Sequence, residues 1–154
     1  MIYQSFHDYW PKIAESETRC LTVFNDAELP PGTYAFIESY CNDPYCDCRR
    51  VFLSVYHREK KEFVAVIAYG WESKTFYAKW MGVDDPETIE GLKGPSLNLS
   101  SPQSALAPVL LRKVNLILDD KNYIERLKRH YRMFKKAVRK KRRSQEGSNT
   151  ENKA

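Results

Sequence analysis

Between residues 19 and 81, five short runs rich in β-branched and aromatic residues follow one another, and no helical repeat separates them. They cover residues 19–24, 33–40, 51–56, 63–71 and 75–81. Turn residues divide them: Asn25-Asp26 and Leu29-Pro30-Pro31-Gly32 after the first, Lys60-Lys61 before the fourth. A parallel crossover consumes a dozen or more residues, usually as a helix, so strands linked this closely are expected to pair antiparallel. The first two should form a hairpin with its turn centred near residue 29.

Helical spacing flanks these runs on both sides. Ile2, Phe6, Tyr9 or Trp10 and Ile13 predict one short helix over about residues 5–16, with Ser5 as cap and Pro11 in the first turn. Residues 83–103 hold Asp84-Asp85-Pro86, two glycines and two further prolines, which predicts an irregular connection with a single helical turn. Leu106, Val109, Leu110, Val114, Ile117 and Leu118 then mark a helix that Asp119-Asp120 breaks or recaps. Tyr123, Leu127, Tyr131, Phe134 and Val138 mark another. The expected fold is α+β: an antiparallel sheet of about five strands with one N-terminal helix and two C-terminal helices. Residues 1–143 should form a single domain ending in a basic helix. Residues 144–154 lack an apolar face and are expected to be a disordered tail.

Three of the four cysteines fall in Cys41-Asn42-Asp43-Pro44-Tyr45-Cys46-Asp47-Cys48, directly before Arg49-Arg50. Pro44 fixes its own φ and the Asp43 side chain can bond the backbone two residues on, so the block should turn and bring its thiols together. Asp43 and Asp47 are expected to bond loop amides. The first residues carry neither the basic stretch nor the apolar run of an export signal, and no run approaches the roughly 18 apolar residues of a membrane span. A cytoplasmic protein is therefore expected, with no membrane contact. In a reducing compartment such thiols are expected to serve a soft metal or redox chemistry rather than stabilising disulfides, the competing reading being half-buried cysteines that pack as small apolar residues. For a metal, thiolates at about 2.3 Å in a tetrahedron suit zinc. Arg49 and Arg50 would balance the thiolate charge or offer an anion-binding rim.

A structural zinc takes four ligands, and the block supplies Cys41, Cys46 and Cys48. Cys20, His57 and His130 are the candidates for the fourth. The expected hairpin puts Cys20 opposite about residue 38, roughly 10 Å short of the block, and His57 lies about 30 Å along a straight strand. His130 follows Leu127 by three and precedes Phe134 by four, so it shares the inward half of the last helix. A buried histidine bonded to backbone is the competing reading. With only three protein ligands, water would fill the open position and a metal-dependent hydrolase becomes conceivable. No Gly-rich phosphate loop, serine elbow or HExxH helix is present, and no catalytic residue is assigned.

The run Tyr40-Cys41-Asn42-Asp43-Pro44-Tyr45-Cys46-Asp47-Cys48-Arg49-Arg50-Val51 follows Leu29-Pro-Pro-Gly-Thr-Tyr-Ala-Phe and precedes Arg129-His130-Tyr131. Together these resemble an uncharacterised prokaryotic protein family over most of residues 8–135. The family has no assigned activity, so the resemblance implies none.

Charge is strongly segregated. Residues 1–120 hold 12 Lys plus Arg against 17 Asp plus Glu, a net −5, whereas residues 121–154 hold 13 against 3, a net +10. Seven positive charges lie in the nine residues from Lys135 to Arg143. Such a run attracts phosphate backbones, so association with nucleic acid or the ribosome through residues 126–143 is the second functional expectation. A solvated helix that keeps the protein soluble is the competing one. Tyr69, Trp71, Phe76, Tyr77 and Trp80 could stack bases, but such residues in strands usually pack a core.

Overall fold

Strict alternation of half-buried and buried side chains along Arg50–His57 marks a sheet with one covered face. In the computed structural model, which describes residues 2–151, that segment is the fourth of six strands. The strands are β1 (Tyr3–Ser5), β2 (Cys20–Val23), β3 (Gly32–Cys41), β4 (Arg50–His57), β5 (Glu62–Gly70) and β6 (Ser96–Leu97). All pair antiparallel in the order β1-β3-β4-β5-β6, and β2 shares the outer edge of β3 with β1. The expected α+β class and antiparallel sheet are what the chain forms, with two short edge strands beyond those the sequence runs suggest.

Register decides which residues look inward. Phe36 pairs with Val55 and Val55 with Ala65, while Leu53 stands between Glu38 and Ile67. One face therefore carries Tyr34, Phe36 and Glu38 beside Leu53, Val55, Ile67 and Tyr69, all buried. Helices α5 (Ala107–Ile117) and α6 (Lys121–Glu151) supply the other half of this core through Leu110, Val114, Tyr123, Leu127, Phe134 and Val138. Each such side chain taken fully out of water stabilises the fold by about 1.5–3 kcal/mol.

Several local expectations need correction. The N-terminal segment forms α1 (Phe6–Tyr9) and α2 (Pro11–Glu17) rather than one helix, because Pro11 has no N–H to continue the first and instead starts the second. Residues 75–81 are not a strand. They lie in α3 (Lys74–Met81), capped by the Ser73 hydroxyl accepting from the Phe76 N–H and closed by Gly82 at φ 68. Capping overrides the β preference of Thr75, Phe76 and Tyr77.

Asp85 caps α4 (Pro86–Lys93) in the same way, accepting from the Thr88 N–H, so the 83–103 connection holds a full helix and β6. Helix α6 continues through the segment expected to be a disordered tail, at least to Glu151, and Arg142 pairs with Glu146 one turn on. Residues 152–154 of that tail lie outside the described residues. No helix among the described residues is long and apolar enough to cross a membrane.

Candidate metal centre

The Cys41–Cys48 segment is the link between β3 and β4, and its turn is built as the sequence implies. Asp43 Oδ1 accepts from the Tyr45 N–H at 2.9 Å, and the Asp43 carbonyl accepts from the Cys46 N–H at 3.2 Å. The turn folds the three thiols onto one another: every pair of Sγ atoms among Cys41, Cys46 and Cys48 lies within 4.8 Å. Cys41 and Cys48 are buried and Cys46 is half-buried, and all four cysteines are free. Three converging thiols of this kind can hold a metal ion.

Helix α6 holds the loop in place. Lys135 Nζ donates to the Asp43 carbonyl at 2.8 Å, Arg139 Nε donates to the Pro44 carbonyl at 3.2 Å, and the Tyr131 hydroxyl donates to Asp47 Oδ1 at 3.0 Å. Asp47 thus bonds side chains rather than the expected loop amide, since it also accepts from the Arg49 guanidinium. Arg49 adopts a left-handed backbone at φ 50, a conformation that is uphill for a residue with a Cβ. Two tyrosines hold it there: Arg49 N–H donates to the Tyr131 hydroxyl at 3.2 Å, and the Tyr77 hydroxyl donates to the Arg49 carbonyl at 2.8 Å. This turn swings the chain from Cys48 into β4.

Electrostatics separate the three sulfurs. A hydrogen bond from the Cys48 thiol, then the Asp43 N–H and the Lys135 charge, hold Cys41 down at about 5 against the opposing effect of burial. Cys48 is pushed far above the ordinary thiol range because it gives its proton to Cys41 and is buried. Burial and the neighbouring Cys41 charge raise Cys46 as well. The trio therefore carries one shared negative charge at neutral pH. Tyr3 closes one side, its hydroxyl 3.9 Å from Cys48 Sγ and its ring stacked on Phe52 at 3.8 Å.

The charge-balancing role expected of Arg49 and Arg50 falls to Lys135 instead. Arg49 pairs with Asp47 and Glu72 and lies over the Phe76 ring, while Arg50 donates to the Leu92 carbonyl. Lys135 is only 3 % exposed although it belongs to the basic run.

The structure does not bring the three candidate fourth ligands to the sulfurs. His130 is fully buried, with Nδ1 2.7 Å from Glu38 Oε1 and Nε2 2.6 Å from Glu17 Oε2, so both ring nitrogens are already occupied. Phe6 stacks on its ring at 4.2 Å, and the Tyr40 hydroxyl donates to the same Glu38 oxygen. This network joins α2, β3 and α6, and His130 leaves the metal site. The competing reading of a buried histidine holds, with carboxylates in place of backbone.

Cys20 pairs with Ala35 rather than with residue 38, three positions further from the block than expected. His57 accepts from the Lys60 N–H at 3.0 Å and lies 3.2 Å from the Pro31 carbonyl, which ties together two turns. The aromatic candidates Tyr69 and Tyr77 are core residues, as the commoner reading had it. No family model, curated protein or solved structure matches the chain.

Proposed function

We propose that the protein is a cytoplasmic metal-binding domain in which Cys41, Cys46 and Cys48 hold a structural zinc ion. The mutual approach of the three sulfurs carries this reading. Zn–S bonds of about 2.3 Å in a tetrahedron set sulfurs about 3.8 Å apart, so the trio needs to contract by no more than about 1 Å to close on an ion. Lys135, the Asp43 N–H and the Tyr3 hydroxyl surround the sulfurs with positive charge and donors, which offsets the negative charge of three thiolates around one divalent ion. Free, closely spaced thiols suit a reducing compartment.

The ion's role is structural on this account. The loop it closes joins two central strands and receives three side-chain bonds from α6, so the ion ties the sheet to the last helix. Three thiolates also donate enough charge to leave the ion a weak Lewis acid, which argues against the hydrolase reading. A small exogenous ligand such as water completes the fourth position.

Zinc content of full-length protein purified without chelator tests the proposal. About one zinc per chain is expected. Cys46→Ser should lose the ion and melt at a lower temperature, whereas His130→Ala should keep the ion in its folded fraction despite losing stability. His130→Ala leaves Glu38 buried without its partner, at a cost of roughly 3–5 kcal/mol. Unchanged zinc in Cys46→Ser, or loss of zinc from folded His130→Ala, would contradict the assignment.

A further inference from the structure

The basic run of α6 does more than surround the core with charge. One face of the helix forms a wall of a groove of about 1070 Å³, whose other side is Asp47 and Arg49, just before β4, and Trp71 and Glu72, just after β5. Eight cationic side chains line it against three acidic ones, Asp47, Glu72 and Glu125. Those three are already matched: Asp47 and Glu72 by Arg49, Glu125 by Lys128. Arg132, Lys136, Lys140 and Arg143, by contrast, make no ion pair or side-chain hydrogen bond among the described residues. Their spacing of four, four and three puts them in one row along the helix. At 1.5 Å per residue the row is about 17 Å long.

We infer that this groove binds a single-stranded polynucleotide. A row of unpaired cations this long suits an extended polyanion, because a lone phosphate would satisfy one or two of them and leave the rest repelling one another. Bases have a place to stack as well. Trp71, half-buried and packed against the core, lines the groove and makes a T-shaped contact with Tyr131 at 5.1 Å, which places an aromatic ring in the wall beside the cations. A flat anionic membrane meets neither condition: the cations face a concavity, and the apolar stripe of α6 that a bilayer would need is buried in the core. None of the four cations bonds the cysteine loop, although Asp47 of that loop lines the groove opposite them.

The test is fluorescence anisotropy of the full-length protein with labelled 20-nucleotide single strands, RNA and DNA, of mixed sequence. Four phosphate contacts at ~0.7 each predict a log–log salt slope near −3, about a 50-fold loss of affinity between 50 and 200 mM salt. K136E/K140E changes exposed side chains only and should weaken binding at least about tenfold. Trp71→Ala should weaken it about tenfold while leaving the affinity for inorganic polyphosphate, which has no bases, unchanged. The inference is overturned by any of three results: no binding of either strand at 50 mM salt, full affinity in K136E/K140E, or polyphosphate bound as tightly as RNA with no effect of Trp71→Ala. Binding to phosphatidylserine vesicles in place of the strands would equally overturn it.

Discussion

Only one of the three clustered thiols is held below its ordinary range, and this sets how many protons a metal ion must displace. Cys41 sits at about 5, while Cys46 and Cys48 lie above the ordinary value of 9.0. At pH 7 an incoming ion therefore expels two protons from the trio. Affinity should fall about 100-fold for each pH unit below neutral until Cys41 begins to protonate near 5, and steepen beyond it. Zinc titration calorimetry in buffers of different ionisation heat reads the proton count directly, and a count of zero or one would contradict the charge distribution described. At this scale the sequence was most legible where the partners are neighbours in the chain: eight residues and one Asp-Pro turn contain the trio. Partners supplied by α6 were harder to read. Lys135 follows Tyr131 by four and precedes Val138 by three, so it keeps the spacing of the buried stripe, a signal that the surrounding charges obscured. Likewise, helical spacing turned His130 inward correctly but could not say that Glu38 and Glu17 would meet it there, because that depends on the register of β3 and the position of α2.

Secondary-structure elements far from the sulfurs help to aim them. Gly70, the last residue of β5, is opposite Arg50, and a Cβ on it would overlap the ring and hydroxyl of Tyr77. Glycine at this point lets α3 pack close enough for Tyr77 to hold the left-handed Arg49 next to Cys48. Gly70→Ala should therefore displace Tyr77, destabilise the protein by about 1–3 kcal/mol and weaken zinc retention under chelator competition. Urea denaturation and chelator titration check the two effects. Destabilisation without faster zinc loss would show that α3 supports the sheet and not the loop. The first four runs of β type were read correctly because β-rich composition and turn residues agree along them. The α3 segment was misread because aromatic composition favoured a strand, while the decisive evidence lay in single residues at its ends, Ser73 and Gly82. Edge strands β1 and β6, three and two residues long, are too short to show any periodicity.

Across the whole molecule, the charge division seen in the sequence becomes a division of labour along α6. Its first half buries Tyr123, Leu127, Tyr131, Phe134 and Val138 and pins the cysteine loop, whereas residues 139–149 are exposed and all five from Arg139 to Arg143 are cationic. The helix thus joins the proposed metal site at one wall of a groove to the proposed polynucleotide surface on the other, and the acidic remainder of the chain keeps the opposite sign of charge. The fold places three sulfurs where one ion can close the link between two strands, a link that this helix holds by three side-chain bonds. X-ray absorption at the zinc edge of the full-length protein tests that claim most directly. The account predicts a shell of three sulfurs at about 2.3 Å with one lighter ligand. A shell made only of nitrogen and oxygen, or one with a single sulfur, would contradict it.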